Sequence, residues 1–233
     1  KEICDASGAP TAEYRSFDSL EPALTYVEAK GAPLVVKADG LAAGKGVIVA
    51  TDIEMAISAV HEIFSGSFGN AGASVVIEEF MEGEEASLFV LVDGETILPI
   101  GTAQDHKRVG DGDTGLNTGG MGAYSPAPIL NEEILKKTVE RIIRPTMREM
   151  VRRGMPFTGV LYAGLMIKDS DPRLVEYNVR FGDPECQVLM MRLGGQILDA
   201  LLSTAKGKLS DVKINWATDH SITVVMADRK SVV

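Results

Sequence analysis

Cysteine is scarce in this sequence: Cys4 and Cys186 are the two in 233 residues, far apart and without the spacing of a metal-binding pair. Two such residues do not make the disulfide framework of a small secreted domain and are expected to be reduced thiols of a cytoplasmic protein. Positive charge is also in deficit. With 23 Lys and Arg against 33 Asp and Glu, the formal net charge is −10, and a surface so charged repels backbone phosphates on average, so no nucleic-acid partner is expected. No apolar run reaches the roughly 18 residues that span a bilayer. No charged-then-apolar leader opens the sequence, and the expectation is a soluble chain with no membrane partner. What remains, 45% hydrophobic and 24% charged, is long enough for a sizeable core in one large or two small domains.

A further absence poses a chemical question. Pro33 to Ala50, PLVVKADGLAAGKGVIVA, sets an apolar strand against a loop of glycines and a lysine. It comes near the P-loop pattern, but Gly40 and Gly44 stand one residue too close, and Gly46 follows Lys45 where the metal-binding hydroxyl belongs. The β-branched run Val47-Ile48-Val49 then predicts a strand, not a helix whose N-terminus would receive a phosphate. The loop is therefore expected to tip a hairpin, where backbone N–H groups can close on an anion, with Lys37 as a second cation on the preceding strand. A glycine-rich turn with two solvated lysines is the plainer alternative. If phosphate binds here, the metal ligand must come from elsewhere.

Along the rest of the chain, Asp52 is a candidate cap for a helix from Ile53 to about Phe64, in which His61 is an ordinary, partly exposed histidine. SVVIEEF and ASLFVLVDGETILPI predict strands, the second turning at Asp93-Gly94. Asn131 opens a helix to about Arg153, kinked at Pro145. GVLYAGLMI and RLVEYNVRF predict adjacent strands, and QVLMMRLGGQILDALLSTAKG a further helix with Met190 and Met191 as core filler. The class is α+β, in two packed lobes. Both ends look cut, which suggests a fragment.

In LVEYNVRFGDPECQ a period of two puts Glu176, Asn178 and Arg180 on one face and Tyr177 and Val179 on the other. A carboxylate and a carboxamide so spaced are hard oxygen ligands suited to Mg²⁺ beside a polyphosphate; a polar, solvent-facing side of an edge strand is the alternative. Gly182-Asp183-Pro184-Glu185 brings two more acids to that region. Met81-Glu82-Gly83-Glu84-Glu85 is a short acidic connection that could meet an adenine edge and ribose hydroxyls. The 23 residues Gln104 to Pro126, glycine-rich and nearly free of large apolar side chains, are expected to be a functional loop, with Asp105 to Arg108 and Thr118 to Gly122 offering anion-binding groups.

Taken in order, VVKADGLAAGKGVIVA, VVIEEFMEGEEASL, QDHKRVGDGDTGLNTGGMGAYSPAP, TGVLYAGLMI and EYNVRFGDPECQ resemble the successive motifs of the glycinamide ribonucleotide synthetases, the phosphoribosylamine–glycine ligases of purine biosynthesis. The resemblance runs from about Thr11 to Met226. It implies an ATP-grasp fold, with nucleotide between two α+β lobes. It also implies a ligase that phosphorylates glycine with ATP and passes the glycyl group to 5-phosphoribosylamine. Carried onto this sequence, Lys37 contacts the nucleotide phosphates and the loop Gly40, Gly44, Lys45, Gly46 covers them. Glu78, Glu79, Phe80 and Met81 line the adenine, Glu85 holds the ribose, and Glu176 and Asn178 hold Mg²⁺ or Mn²⁺. Arg180, Asp183 and the segment His106 to Arg108, Lys107 above all, face the reacting groups. The organisation implied is a small lobe to residue 84, whose first residues remain from a link to an absent N-terminal domain. A large lobe follows over 85–215, and then the start of a truncated C-terminal domain. Another ATP-grasp carboxylate–amine ligase would lack the RFGDPE and NTGGMGAYSP blocks; a non-catalytic nucleotide-binding module would tolerate loss of Arg180 or Glu176.

Overall fold

The computed structural model describes residues 1–40, 46–112 and 114–226, the side chains of Leu116 and Asn117 excepted. The chain opens in helix α1 (Glu2–Ser7), which ends at Gly8 in a left-handed conformation. It divides into two compact units, Ala12–Met81 on its own, and Lys1–Thr11 together with the residues from Glu82 onward. The first eleven residues thus group with the larger unit, and the division falls at Met81 where the sequence placed it at 84.

The smaller unit contains β1 (Tyr14–Phe17), α2 (Leu20–Lys30), β2 (Leu34–Ala38), β3 (Val47–Ala50), α3 (Ile53–Glu62) and β4 (Val75–Glu79). Its sheet has the order β1-β4-β2-β3, antiparallel throughout. Leu34 and Val36 of β2 and Val75 and Ile77 of β4 alternate onto one face, where Ala23 and Val27 of α2 and Ala56, Ala59 and Val60 of α3 bury them. Asp52 caps α3 as expected, its carboxylate accepting from the Met55 N–H at 2.8 Å. The β-branched residues after the glycine loop pair as a strand with β2, Lys37 opposite Val47; the loop residues 41–45, including Gly44 and Lys45, lie outside the described residues.

The larger unit is built on a six-stranded sheet. Its elements are β5 (Glu84–Asp93), β6 (Thr96–Gly110), β7 (Thr114–Ser125), α4 (Glu132–Thr138), α5 (Arg144–Arg152), β8 (Thr158–Lys168), β9 (Asp171–Asn178), α6 (Glu185–Leu193), α7 (Gln196–Ala205) and β10 (Ser221–Val224). The strand order is β10-β7-β6-β5-β8-β9. One face of β5 and β8, with Leu88, Val90, Ala163 and Leu165, packs on Ile134, Ile142 and Met147 of the α4–α5 segment. The other, with Phe89, Leu91 and Tyr162, packs on Val188, Leu189, Leu193 and Ala200 of α6 and α7.

Three expectations are corrected here. Gln104 to Pro126 is not a loop: it is most of β6 and β7, a hairpin whose hydrogen bonds are backbone pairs and need no large apolar side chains. The helix expected after Glu185 is two helices, interrupted at Gly194-Gly195. Met190 packs on the core but Met191 is exposed. Asn131 caps α4 through its side-chain oxygen, and a π-helical turn at Val139–Ile143 separates α4 from α5, whose first turn holds Pro145, a position where the missing N–H is tolerated. Among the described residues no helix is long and apolar enough to cross a membrane.

Candidate active site

On the α6–α7 face of the large sheet, β5 presents Glu85, Ser87, Phe89 and Leu91 in turn, polar first and apolar beyond. The apolar end anchors the helices and leaves the polar end open. A bulge in β9 then brings in the carboxylate. Glu176 pairs with Gly164 and Leu174 with Leu165, so Val175 is the extra residue. Without it Leu174 and Glu176 would share a face; with it Leu174 stays in the α4–α5 core while Val175 and Glu176 turn to the opposite side. Tyr177 returns to that core, its hydroxyl bonding Thr146 Oγ1 at 3.0 Å.

Glu176 and Val175 line one small pocket of about 40 Å³ with Glu85, Ser87, Asp105, Lys107, Tyr162 and Gly164. Gly164, lacking a side chain, leaves the space beside Glu176 open. Lys107 Nζ lies 2.9 Å from Glu85 Oε2 and 3.4 Å from Asp105 Oδ2. The backbone of Lys107 is fixed by Thr118, whose hydroxyl donates to the Lys107 carbonyl at 2.9 Å. Ser87 Oγ donates to the Tyr162 hydroxyl at 2.9 Å. Asn178 Nδ2 donates to Glu176 Oε1 at 3.0 Å, which orients the carboxamide with its oxygen as the remaining acceptor.

The electrostatics follow from burial against charge. Desolvation alone would pull the Lys107 ammonium down, but the carboxylates of Glu85 and Asp105 outweigh it and hold it above the usual lysine value. The Tyr162 hydroxyl is pushed up by burial and then by Glu185. Burial, followed by the Asp105 carboxylate, raises Glu185, with the Tyr162 hydroxyl pulling the other way.

The motif after β9 is held in place by glycines. A Cβ on Gly182 would stand 2.3 Å from Glu185 Oε2, so the buried Glu185 carboxylate occupies the space a side chain would need. Between the His106–Gly122 and Arg108–Asn117 pairs of β6 and β7 lies an irregularity at Thr118 to Met121, and its Gly120 abuts Pro184. The two glycine-rich sequence blocks are thereby packed on each other.

The expected site residues divide between the units. In the larger, Glu85, Lys107 and Glu176 meet in the pocket and Asn178 bonds Glu176. Arg180 lies beyond the end of β9, exposed, and donates to the Phe181 carbonyl. Asp183 is exposed and accepts from Gln187 Nε2 at 2.9 Å. His106 and Arg108 alternate away from Lys107: His106 sits 5.8 Å ring to ring from Tyr124, and Arg108 donates to the Gly115 carbonyl. In the smaller unit Lys37 Nζ lies 2.9 Å from Oε2 of the buried Glu78. Glu79 accepts from the Glu13 N–H at 3.0 Å, Phe80 is partly exposed and Met81 buried. Gly40 packs against Ala71 and Gly46 accepts from the Ala38 N–H at 2.8 Å. Sequence reasoning missed Tyr162 and Ser87, both embedded in apolar strands; the signal was a hydroxyl within a run otherwise free of polar groups.

Residues 1–186 match the family described as phosphoribosylglycinamide synthetase, ATP-grasp (A) domain. The chain belongs to that family. A phosphoribosylamine–glycine ligase of Rhizobium meliloti is 57% identical over 98% of this chain and 54% of its own length. A chloroplastic one from Arabidopsis thaliana is 56% identical over 97% of this chain and 43% of its own. The crystal structure of the Thermotoga maritima phosphoribosylamine–glycine ligase superposes with a TM-score of 0.89 at 33% identity, over 98% of this chain and 58% of that one. The fold is therefore ATP-grasp, and this ATP-grasp chain spans about half the length of the curated relatives it matches.

Proposed function

We propose that the complete protein joins glycine to 5-phosphoribosylamine at the expense of ATP, the step that makes glycinamide ribonucleotide in purine biosynthesis. The single observation that carries the reading is the bulge-directed Glu176, paired with Asn178 and facing a lysine-bearing pocket, in a chain of this family. The glycine carboxylate takes the γ-phosphoryl group and ADP departs. The phosphoribosylamine nitrogen then attacks the acyl carbon, phosphate leaves, and the nitrogen gives up a proton. Little covalent help is needed; positioning and charge neutralisation suffice.

Lys37, steadied by Glu78, contacts the nucleotide phosphates, with the residues from Gly40 to Gly46 over them. Glu78 to Met81 meet the adenine and Glu85 the ribose. Glu176 Oε2 and Asn178 Oδ1 are hard donors that fit Mg²⁺ or Mn²⁺, an ion that would neutralise phosphate oxygens. No group of three or more His, Cys, Asp or Glu among the described residues is arranged to hold a metal alone, which fits a site completed by the polyphosphate. Arg180 and Asp183 face the reacting groups. Cys4 and Cys186 are not joined in a disulfide, which supports a cytoplasmic setting.

The test is ADP release with glycine and freshly made phosphoribosylamine, by the full-length protein and by these 233 residues. Turnover that needs both substrates is expected of the full-length protein. The 233-residue chain is expected to bind nucleotide yet turn over orders of magnitude more slowly, because positioning a second substrate accounts for about 7 to 11 kcal/mol of a bimolecular barrier. Release of ADP by the full-length protein independently of either substrate would contradict the assignment.

A further inference from the structure

Glu185 is a buried carboxylate that the proposed reaction does not use. It opens α6, is 3% exposed, and folds back over the space that Gly182 leaves for want of a side chain. Its carboxylate accepts from its own backbone N–H and from the Tyr162 hydroxyl. Tyr162 in turn accepts from Ser87 Oγ at 2.9 Å, which leaves its single hydroxyl hydrogen for Glu185. Ser87 and Tyr162 line the pocket beside Lys107, and both stand on strands paired on each side. The line from Ser87 through Tyr162 to Glu185 thus starts on rigid sheet and ends on the turn after β9.

That turn needs an anchor. Residues 179–184 belong to no helix or strand, Val179, Arg180 and Asp183 are exposed, and the Arg180 guanidinium bonds only as far as the neighbouring Phe181 carbonyl. Phe181 packs on the α6–α7 core and Pro184 on Gly120, but neither contact is directional. We infer that Ser87, Tyr162 and Glu185 form a positioning line for the ligase reaction, in which Glu185, held by the Tyr162 hydroxyl, fixes the turn that carries Arg180 and Asp183 relative to the pocket. Geometry and not charge is what the line supplies. A carboxamide at residue 185 keeps an oxygen for the Tyr162 hydroxyl, whereas a methyl group keeps none. The inference rests on the proposed reaction and on Arg180 and Asp183 facing the reacting groups.

The experiment is steady-state kinetics on the full-length protein, native and as Tyr162→Phe, Glu185→Gln, Glu185→Ala and the double variant Tyr162→Phe with Glu185→Ala. Because small misplacements at a reacting centre cost up to about a hundredfold in rate, kcat is expected to fall about ten- to a hundredfold in Tyr162→Phe and Glu185→Ala, with the KM for ATP within about twofold of native. The double variant is expected to be no slower than Glu185→Ala, since both changes remove one contact. Glu185→Gln, which restores an acceptor, is expected to keep kcat within about threefold of native. Native kcat in Tyr162→Phe, multiplying losses in the double variant, Glu185→Gln as slow as Glu185→Ala, or a KM for ATP that rises in step with the fall in kcat overturns the inference. Tyr162→Phe, which loses a single oxygen, decides alone if Glu185→Ala does not fold. A native protein that releases ADP without needing both glycine and phosphoribosylamine overturns the proposed function instead, and the inference with it.

Discussion

Gly120 is packed against Pro184 so closely that a Cβ at residue 120 would stand 2.4 Å from the proline Cδ and 3.0 Å from the Asp183 carbonyl oxygen. Its φ of +132° lies outside the range L-residues adopt readily. The contact joins the β6–β7 hairpin to the turn before α6, and neither side can yield cheaply, one being backbone and the other a proline ring. Gly120→Ala is therefore expected to lower stability by about 1–3 kcal/mol. Gly119→Ala, where a Cβ meets nothing within 4 Å, is expected to stay within about 0.5 kcal/mol. Denaturant unfolding of the two variants checks this; equal losses would contradict the contact as drawn.

Lys37 and Glu78 form an ion pair that is nearly out of water, their side chains 15% and 4% exposed. Lys37→Ala is thus expected to act twice. It removes a charge-assisted phosphate contact of about 1.5–3 kcal/mol from ATP binding, and it breaks the buried Lys37–Glu78 ion pair, a loss of order 3 kcal/mol in stability. Lys37→Met combined with Glu78→Gln should recover most of the stability and none of the ATP affinity. Adenosine affinity, measured by calorimetry on Lys37→Met with Glu78 intact, should be nearly unchanged; a matching loss for adenosine would refute a phosphate role.

Glu149 is buried and grips both Arg152 and Arg153, at 2.6 Å and 2.7 Å. Hydrogen bonds from the two guanidinium groups hold its carboxyl near 2, below the ordinary 4.5. A depressed folded-state value contributes stability that is complete above the unfolded value and is lost as pH falls through the folded one. The stability gap between the native chain and Glu149→Gln should accordingly be constant above about pH 4.5 and close as pH falls toward 2. A gap that persists unchanged at pH 2 would show that packing, not charge, is what the variant loses.

Where local chemistry decides, the sequence was readable. The β-branched Val47 to Val49 made a strand after a glycine loop, Asp52 and Asn131 capped the helices they precede, and Glu176 with Asn178 stood on one face apart from Tyr177. Where long-range contact decides, it was not. The glycines of the β6–β7 hairpin look like loop residues because their reason is tertiary: Gly120 leaves room for Pro184 and Gly122 for the Thr223 carbonyl. The bulge at Val175 depends on pairing with β8 and has no local signature, yet it is what sends Glu176 and Leu174 to opposite faces. Alternation by itself would have separated Lys107 from His106, and that signal was available: one faces the pocket and the other Tyr124. For Tyr162 the signal was its single hydroxyl inside GVLYAGLMI, because the strand is covered on both faces and carries no polar alternation.

The central claim is that the β9 carboxylate holds the metal that accompanies the nucleotide. It is tested most directly by calorimetric titration of a non-hydrolysable ATP analogue into the native chain and Glu176→Gln, each with and without Mg²⁺. Glutamine keeps the shape and the bond from Asn178 can be retained, but a charged oxygen ligand is lost. Mg²⁺ is expected to tighten binding in the native chain and to have little effect in the variant, with metal-free affinities alike. Equal loss of affinity with and without Mg²⁺ would contradict the assignment.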